Sequence, residues 1–207
     1  MKRCVIIGGA PIGRYDRIRA LLTENDYTIY CDSGLRHMES LGMQPDLIIG
    51  DFDSHEKPDT DVETIVLPTV KDDTDTMFAV KEGLSRGFED FLLIGALGGR
   101  LDHTMVNVYS LLYLDEKGKN GTIADDFSIV RLVSHTRVEI YPKWAFFSLV
   151  NIDGSAHGVT IRNAKYELEN AEIPCPFQYA TSNEPLPDKK ATVSLKEGRL
   201  LLICDYE

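Results

Sequence analysis

The chain contains no apolar run near the roughly 18 residues that a membrane-spanning helix needs. Its N-terminal run Cys4-Val5-Ile6-Ile7 meets Gly8-Gly9 too early to read as a signal peptide. Only four cysteines occur, at positions 4, 31, 175 and 204, with no Cys-x-x-Cys pair and no histidine at zinc-ligand spacing. Zinc and redox motifs are therefore not expected, and buried cysteines in strands are. A basic surplus is missing as well: 22 Lys and Arg stand against 33 Asp and Glu, a net charge of −11, which argues against a nucleic-acid partner. The dinucleotide pattern G-x-G-x-x-G fails in Gly8-Gly9-Ala10-Pro11-Ile12-Gly13, because position 10 is alanine. Neither a G-x-x-x-x-G-K-[ST] loop nor a protein-kinase signature set is present, so nucleotide chemistry here must use another design. What remains is a 207-residue chain with 43% hydrophobic and 27% charged residues, an ordinary globular composition, expected in the cytoplasm.

The periodicity changes along the chain. Up to about residue 124, short continuous apolar runs at 3–7, 28–31, 47–49, 63–67, 91–95 and 121–124 alternate with helical patterns at 15–25, 35–41, 74–86 and 102–117. This alternation predicts an α/β domain over 1–124 with a mainly parallel, doubly wound sheet. On the last helix Met105, Val108, Tyr109 and Leu112 form one apolar stripe, with Asp102 as N-cap and Gly118 as stop. Beyond residue 125 the runs 127–133, 136–141, 145–152, 159–168, 191–195 and 200–205 read as strands, with 196–199 as a hairpin turn between the last two. Residues 125–207 are thus expected to form an all-β sandwich domain, with Pro174, Pro176, Pro185 and Pro187 marking a long irregular insertion.

In an open parallel sheet the ligand crevice lies beyond the carboxyl ends of the strands. There the chain places Asp32-Ser33-Gly34, Gly50-Asp51-Phe52-Asp53-Ser54, Lys71-Asp72-Asp73-Thr74-Asp75 and Gly98-Gly99-Arg100-Leu101-Asp102-His103. Residues 46–75 alone hold ten carboxylates against Lys57 and Lys71, a local charge of −8. Each acid has a plain structural reading: Asp72 or Asp73 as a helix cap, Asp75 beside the helix dipole, Asp102 as another cap. Asp51 and Asp53 are harder to dismiss, since residues two apart on an extended segment project to the same side about 7 Å apart. Like charges at 4 Å repel by about 4 kcal/mol at an effective dielectric of 20, so a shared sheet edge makes sense around a cation. With oxygen donors only, that ion is Mg²⁺, which implies a phosphate-bearing substrate. Gly98-Gly99 can turn backbone N–H groups toward an anion, and Arg100 can fork onto phosphate oxygens. His103, and still more His37, His55, His135 and His157, read as packing or supporting residues, and the single Trp144 as core.

In this order, these motifs resemble the thiamin pyrophosphokinase family over nearly the whole chain. The second half contributes Gly158-Val159-Thr160, Asn163-Ala164-Lys165-Tyr166-Glu167-Leu168 and Thr181-Ser182-Asn183-Glu184 to the resemblance. The resemblance implies transfer of the pyrophosphoryl group of ATP to the thiamin hydroxyl, with release of AMP. It also implies a homodimer whose active sites are shared between subunits. By matching motif, Asp51, Asp53 and Asp75 hold Mg²⁺, and Arg100 and Asp102 complete the catalytic set. Asp32, Gly34, Asp72, Asp73, Thr74, Gly98, Gly99 and Arg100 surround ATP. Tyr166 stacks on the aminopyrimidine of thiamin, with Ser182 and Asn183 bonding nearby. Two positions depart from the family: Lys71 stands where some relatives carry a neutral amide, and Ser33 where glycine is common. Other readings of the same residues are a pyrophosphokinase for another hydroxymethyl heterocycle and a non-catalytic sensor of ATP or thiamin.

Overall fold

Continuous runs of aliphatic residues, with no polar alternation, leave both faces of a strand apolar and drive it to the middle of a covered sheet. The computed structural model, which describes residues 2–52, 59–70 and 72–206, shows this in the first of two units, Met1–Asp126 and Phe127–Glu207. Its strands are Cys4–Ile7 (β1), Tyr27–Cys31 (β2), Leu47–Gly50 (β3), Thr64–Val66 (β4), Asp90–Ile94 (β5) and Asn120–Ala124 (β6). They pair in parallel in the order β4-β3-β2-β1-β5-β6. Every residue of β1 and β3 is buried, whereas β4, at the edge, exposes Val66. The chain runs outward from β1 in one direction through β4 and returns to β5 on the other side. The switch point therefore lies between β1 and β5, where such sheets open a crevice.

The helices of this unit are Tyr15–Arg19 (α1), Met38–Leu41 (α2), Asp75–Ser85 (α3) and Leu101–Glu116 (α4), with a 3₁₀ helix Asp32–His37 leading into α2. The expected helix over 15–25 stops early, and the backbone explains why. Arg3 takes the Leu21 carbonyl at 2.7 Å, and the Asp26 carboxylate takes the Thr23 N–H at 2.8 Å, so neither group is left for a helical ladder. Arg3 also forks onto Asp26 at 3.0 and 2.7 Å, with the Asp26 side chain only 3% exposed. Asp26→Ala is expected to destabilise the protein by about 3 kcal/mol, the lower part of the range for breaking a buried pair, because Arg3 keeps some contact with water. A urea melt reads this as a lower midpoint at unchanged slope.

The long helix α4 corrects the expected face. Its buried residues are Asn107, Ser110, Leu111 and Leu114, while Leu101, Met105, Val106 and Tyr109 are exposed. Polar side chains can face inward here because they are bonded: Asn107 Nδ2 donates to the Ala96 carbonyl at 2.8 Å, and Ser110 Oγ to the Asn107 carbonyl at 2.6 Å. The N-cap is Arg100, not Asp102, which lies in the first turn. The helix ends as expected at Gly118: the N–H of Gly118 bonds Asp115 and that of Lys119 bonds Leu114, closing the last carbonyls.

The second unit consists of antiparallel strands Ser128–Val133 (β7), Val138–Ile140 (β8), Phe146–Val150 (β9), Ser155–Arg162 (β10), Leu168–Pro174 (β11), Ala191–Ser194 (β12) and Leu200–Asp205 (β13). β13 runs between β7 and β9, and a second sheet has the order β11-β10-β12-β8. Alternation is clear on β10, where Ala156, Val159 and Ile161 are buried and their neighbours are not. Two expectations fail in this unit. The run 159–168 is the end of β10, a turn with Asn163 at φ 58° and the start of β11. Residues 196–199 do not close a hairpin, because β12 and β13 belong to different sheets; Lys196 and Glu197 bond His157 instead. Cys4, Cys31 and Cys204 are buried free thiols, and Cys175 is exposed. No helix among the described residues is long and apolar enough to cross a membrane.

Candidate active site

A cavity of about 640 Å³ opens where the topology predicts it, over the ends of β1 and β5. Gly9, Ala10 and Pro11 line it after β1, and Cys31, Asp32, Ser33 and Arg36 after β2. Asp51 follows β3, Thr74, Asp75 and Thr76 open α3, and Gly95, Ala96, Gly98, Gly99 and Arg100 together with His103 and Asn107 close the far side. Of the residues singled out in the sequence, the cleft therefore gathers Asp32, Asp51, Thr74, Asp75, Gly98, Gly99 and Arg100. Asp53, Ser54 and Lys71 lie outside the described residues.

Local backbone chemistry aims these groups. Thr74 caps α3, its Oγ accepting the Met77 N–H at 3.2 Å, so the cap is Thr74 rather than Asp72 or Asp73. This sets Asp75 in the first turn, where the helix dipole favours a carboxylate. Asp32 fits against β3 only because position 50 is glycine: a Cβ there would come within 2.6 Å of the Asp32 Cβ. Phe52, directly after Asp51, takes a left-handed φ of 53°, a conformation that is uncommon for a bulky residue and turns the chain sharply beside that acid. Gly98 and Gly99 carry φ values of 89° and 67°, open to glycine alone at little cost, and Gly98 N–H is held by Thr104 Oγ1 at 3.1 Å.

Three carboxylates line the cleft, those of Asp32, Asp51 and Asp75, with the guanidinium groups of Arg36 and Arg100. In its wall the Cys31 thiol is pushed up to about 12, first by burial and then by the charge of Asp75, with Asp32 adding to it. Arg100 supplies the opposing charge at the rim. Its guanidinium forks onto Asp102, Nε to Oδ1 at 3.1 Å, and the pair is exposed. That contact, with the His103 N–H at 3.0 Å, brings the Asp102 carboxyl down to about 2. Asp102 thus holds Arg100 and does not itself line the cavity.

Three other expected residues also stand apart from the cavity. Asp73 accepts both bonds of Lys81, at 2.8 and 2.7 Å, one turn and more along α3, and Asp72 is exposed. Gly34 is buried against β1, with the Ile7 carbonyl 2.1 Å from where a Cβ would sit, so its glycine serves packing. In the second unit Tyr166 is 59% exposed. Asn183, buried, receives the Tyr166 N–H on Oδ1 at 3.0 Å and donates from Nδ2 to the Tyr166 carbonyl at 2.7 Å. Asn183 therefore positions Tyr166. Ser182 adopts φ 54° and its N–H donates to Ser148 Oγ at 3.0 Å.

Sequence reasoning missed Arg36, Asn107 and Ala96 as cleft residues and read His103 as a packing or supporting residue, although it is exposed at the cavity. The strand-end rule contained the signal for Ala96, which directly follows β5 and Gly95.

A six-stranded parallel sheet with an oxygen-rich cleft at its switch point, lined by aspartates and arginines, defines an α/β protein of the open-sheet, ligand-binding class. The family model of the thiamin pyrophosphokinase catalytic domain matches residues 18–123, and that of the thiamin pyrophosphokinase vitamin B1 binding domain matches 135–200. The chain belongs to the thiamin pyrophosphokinase family. It is 27% identical over 195 residues to thiamin pyrophosphokinase 1 of Caenorhabditis elegans, covering 87% of this chain and 80% of that one. It is 26% identical over 220 aligned positions to thiamine pyrophosphokinase of Bacillus subtilis, covering 98% of each. The crystal structure of the Bacillus subtilis protein superposes with a TM-score of 0.85 over 100% of both chains at 22% identity, a likeness of fold.

Proposed function

We propose that the chain transfers the pyrophosphoryl group of ATP to the hydroxyl of thiamin, giving thiamin diphosphate and AMP. The observation that carries this reading is the convergence of Asp32, Asp51 and Asp75 on one cavity with Arg100 at its edge. Pyrophosphoryl transfer asks little covalent work of a protein; it needs reactants in line and negative charge offset. Arg100 is suited to fork onto the phosphates once Asp102 releases it, and the Gly98-Gly99 turn leaves room for them. The attacking hydroxyl loses a proton as its oxygen bonds the β-phosphorus and the α-phosphate leaves as AMP; a cleft carboxylate accepts that proton.

The donor set fits Mg²⁺. Asp32, Asp51, Thr74 and Asp75 offer hard oxygens, and among the described residues no group of three or more His, Cys, Asp and Glu side chains could hold a metal by itself. An ion that takes carboxylate oxygens and completes its shell with water and substrate phosphates suits such a site. Asp51, Asp53 and Asp75 are proposed as its ligands. When bound, the ion neutralises charge on the triphosphate.

The second unit is proposed as a β-sandwich that takes thiamin, with Tyr166 stacking on the aminopyrimidine. A cytoplasmic homodimer with active sites drawn from both subunits completes the reading, and the exposed apolar residues of α4, Leu101, Met105, Val106 and Tyr109, support a partner surface. Phosphorus NMR of the protein with MgATP, with and without thiamin, tests the reaction. Thiamin-dependent AMP and thiamin diphosphate are expected, with specific activity falling on dilution as the dimer dissociates. ADP as product would mean single-phosphoryl transfer. Bound MgATP without turnover would redirect the acceptor to another heterocycle or the chain to a sensor.

A further inference from the structure

His37 reads in the sequence as a packing residue, and it is indeed 2% exposed. The structure gives both of its ring nitrogens a partner. Nε2 lies 3.0 Å from the Ala10 carbonyl and Nδ1 2.7 Å from the Tyr15 hydroxyl. A carbonyl can only accept, so Nε2 carries the proton; in the neutral ring, the form that burial favours, Nδ1 then accepts the Tyr15 O–H. Burial lowers its pKa, the Ala10 carbonyl opposes that shift, and Arg36 adds to it.

Ala10 belongs to the cleft wall, and its backbone is used on both sides: its N–H donates to the Gly95 carbonyl at 2.9 Å and its C=O accepts from His37. The rest of the β1–α1 loop is held likewise. Gly8 N–H donates to the Ile94 carbonyl at 2.8 Å, and the N–H groups of Gly13 and Arg14 reach the two carboxylate oxygens of Asp126 at 2.6 and 2.9 Å. Among these ties, that from His37 alone originates in the 3₁₀ helix Asp32–His37, which brings Asp32, Ser33 and Arg36 to the same cavity.

We propose that His37 is a positioning residue that locks the β1–α1 loop to the 3₁₀ helix and so preforms the wall against which the nucleotide binds, without touching it. The proposal rests on the nucleotide reading of this cleft. A loop already fixed in its bound shape spares the ligand the cost of ordering it.

His37→Ala is expected to raise the KM for MgATP about five- to tenfold, the scale of one lost hydrogen bond, with kcat and the thiamin KM changed by less than about twofold. His37→Gln, whose amide N–H can replace Nε2–H, is expected to recover most of that loss. Tyr15→Phe, which removes only the Nδ1 partner and conserves the ring, should give a smaller rise in the same constant. If His37→Ala does not fold, the Gln and Phe variants decide the matter by the same measurement. Amide hydrogen exchange of the ligand-free protein supplies a readout independent of the reaction: residues 8–14 should exchange faster in the variants while β5 keeps its protection. A loop that exchanges faster without any nucleotide affinity in the wild type would overturn the nucleotide reading and, with it, the assigned role. Wild-type exchange and wild-type MgATP KM in all three variants would overturn the positioning role alone.

Discussion

Asp75→Asn is expected to lower turnover with MgATP and thiamin by a hundredfold or more while the protein stays folded. The substitution keeps shape and removes one charge from the cavity. A unit charge 4 Å from a partner is worth about 4 kcal/mol at an effective dielectric of 20, which corresponds to about a thousandfold in rate if it acts in the transition state. Asp75 is placed by the Thr74 cap in the first turn of α3 and lines the cavity, beside Cys31. The structural cost is small by comparison. Loss of a first-turn carboxylate from α3 weakens the dipole interaction by about 0.3–1 kcal/mol. Steady-state kinetics beside a thermal melt separates the two effects, and turnover within tenfold of the wild type would remove Asp75 from the site. Asp53→Asn, at the sequence position paired with Asp51, is expected to behave in the same way.

Much of the first unit was legible because its strands are short continuous apolar runs, and such runs have few other ways to be buried. The cleft followed from them: once the strands were placed, the acidic segments after β2, β3 and β4 fell at one edge of the sheet. Which acids meet there was not legible. Asp73 and Asp75 are two residues apart in one acidic turn, yet the first is drawn out to Lys81 and the second faces the cavity, a division made by the Thr74 cap and by a lysine eight residues along the chain. α4 misled for a related reason. Its apolar stripe is a reliable core signal only when inward polar groups lack partners, and here the Ala96 carbonyl and the helix backbone provide them. The last two strands looked like a hairpin because sequence shows the length of a connection and not the sheet each strand joins. The partners of His37 were not legible because a single buried histidine gives no periodic signal, and the Ala10 carbonyl it bonds lies 27 residues away.

Tyr166→Ala is expected to raise the KM for thiamin by about five- to 150-fold with the KM for MgATP little changed, since stacking of a heterocycle on an aromatic ring contributes about 1–3 kcal/mol. The ring is exposed, but its backbone is not free to drift: Asn183 clasps the Tyr166 N–H and C=O, and the Asn183 backbone itself pairs with Phe147 of β9 in both directions at 2.8 Å. Lys165 lies over the ring at 5.6 Å from its centroid and is tied to Glu184 at 2.7 Å, so the side chain beside it is also anchored. A ring held this way offers stacking area with little ordering left to do. Tyr166→Phe and Tyr166→Trp retain a flat face and should stay close to the wild type, which separates stacking from any role of the hydroxyl. Asn183→Ala should reproduce part of the alanine effect at Tyr166, because it loosens the ring's backbone without removing the ring. A thiamin KM within twofold of the wild type in Tyr166→Ala would place the acceptor's heterocycle on other residues of the chain.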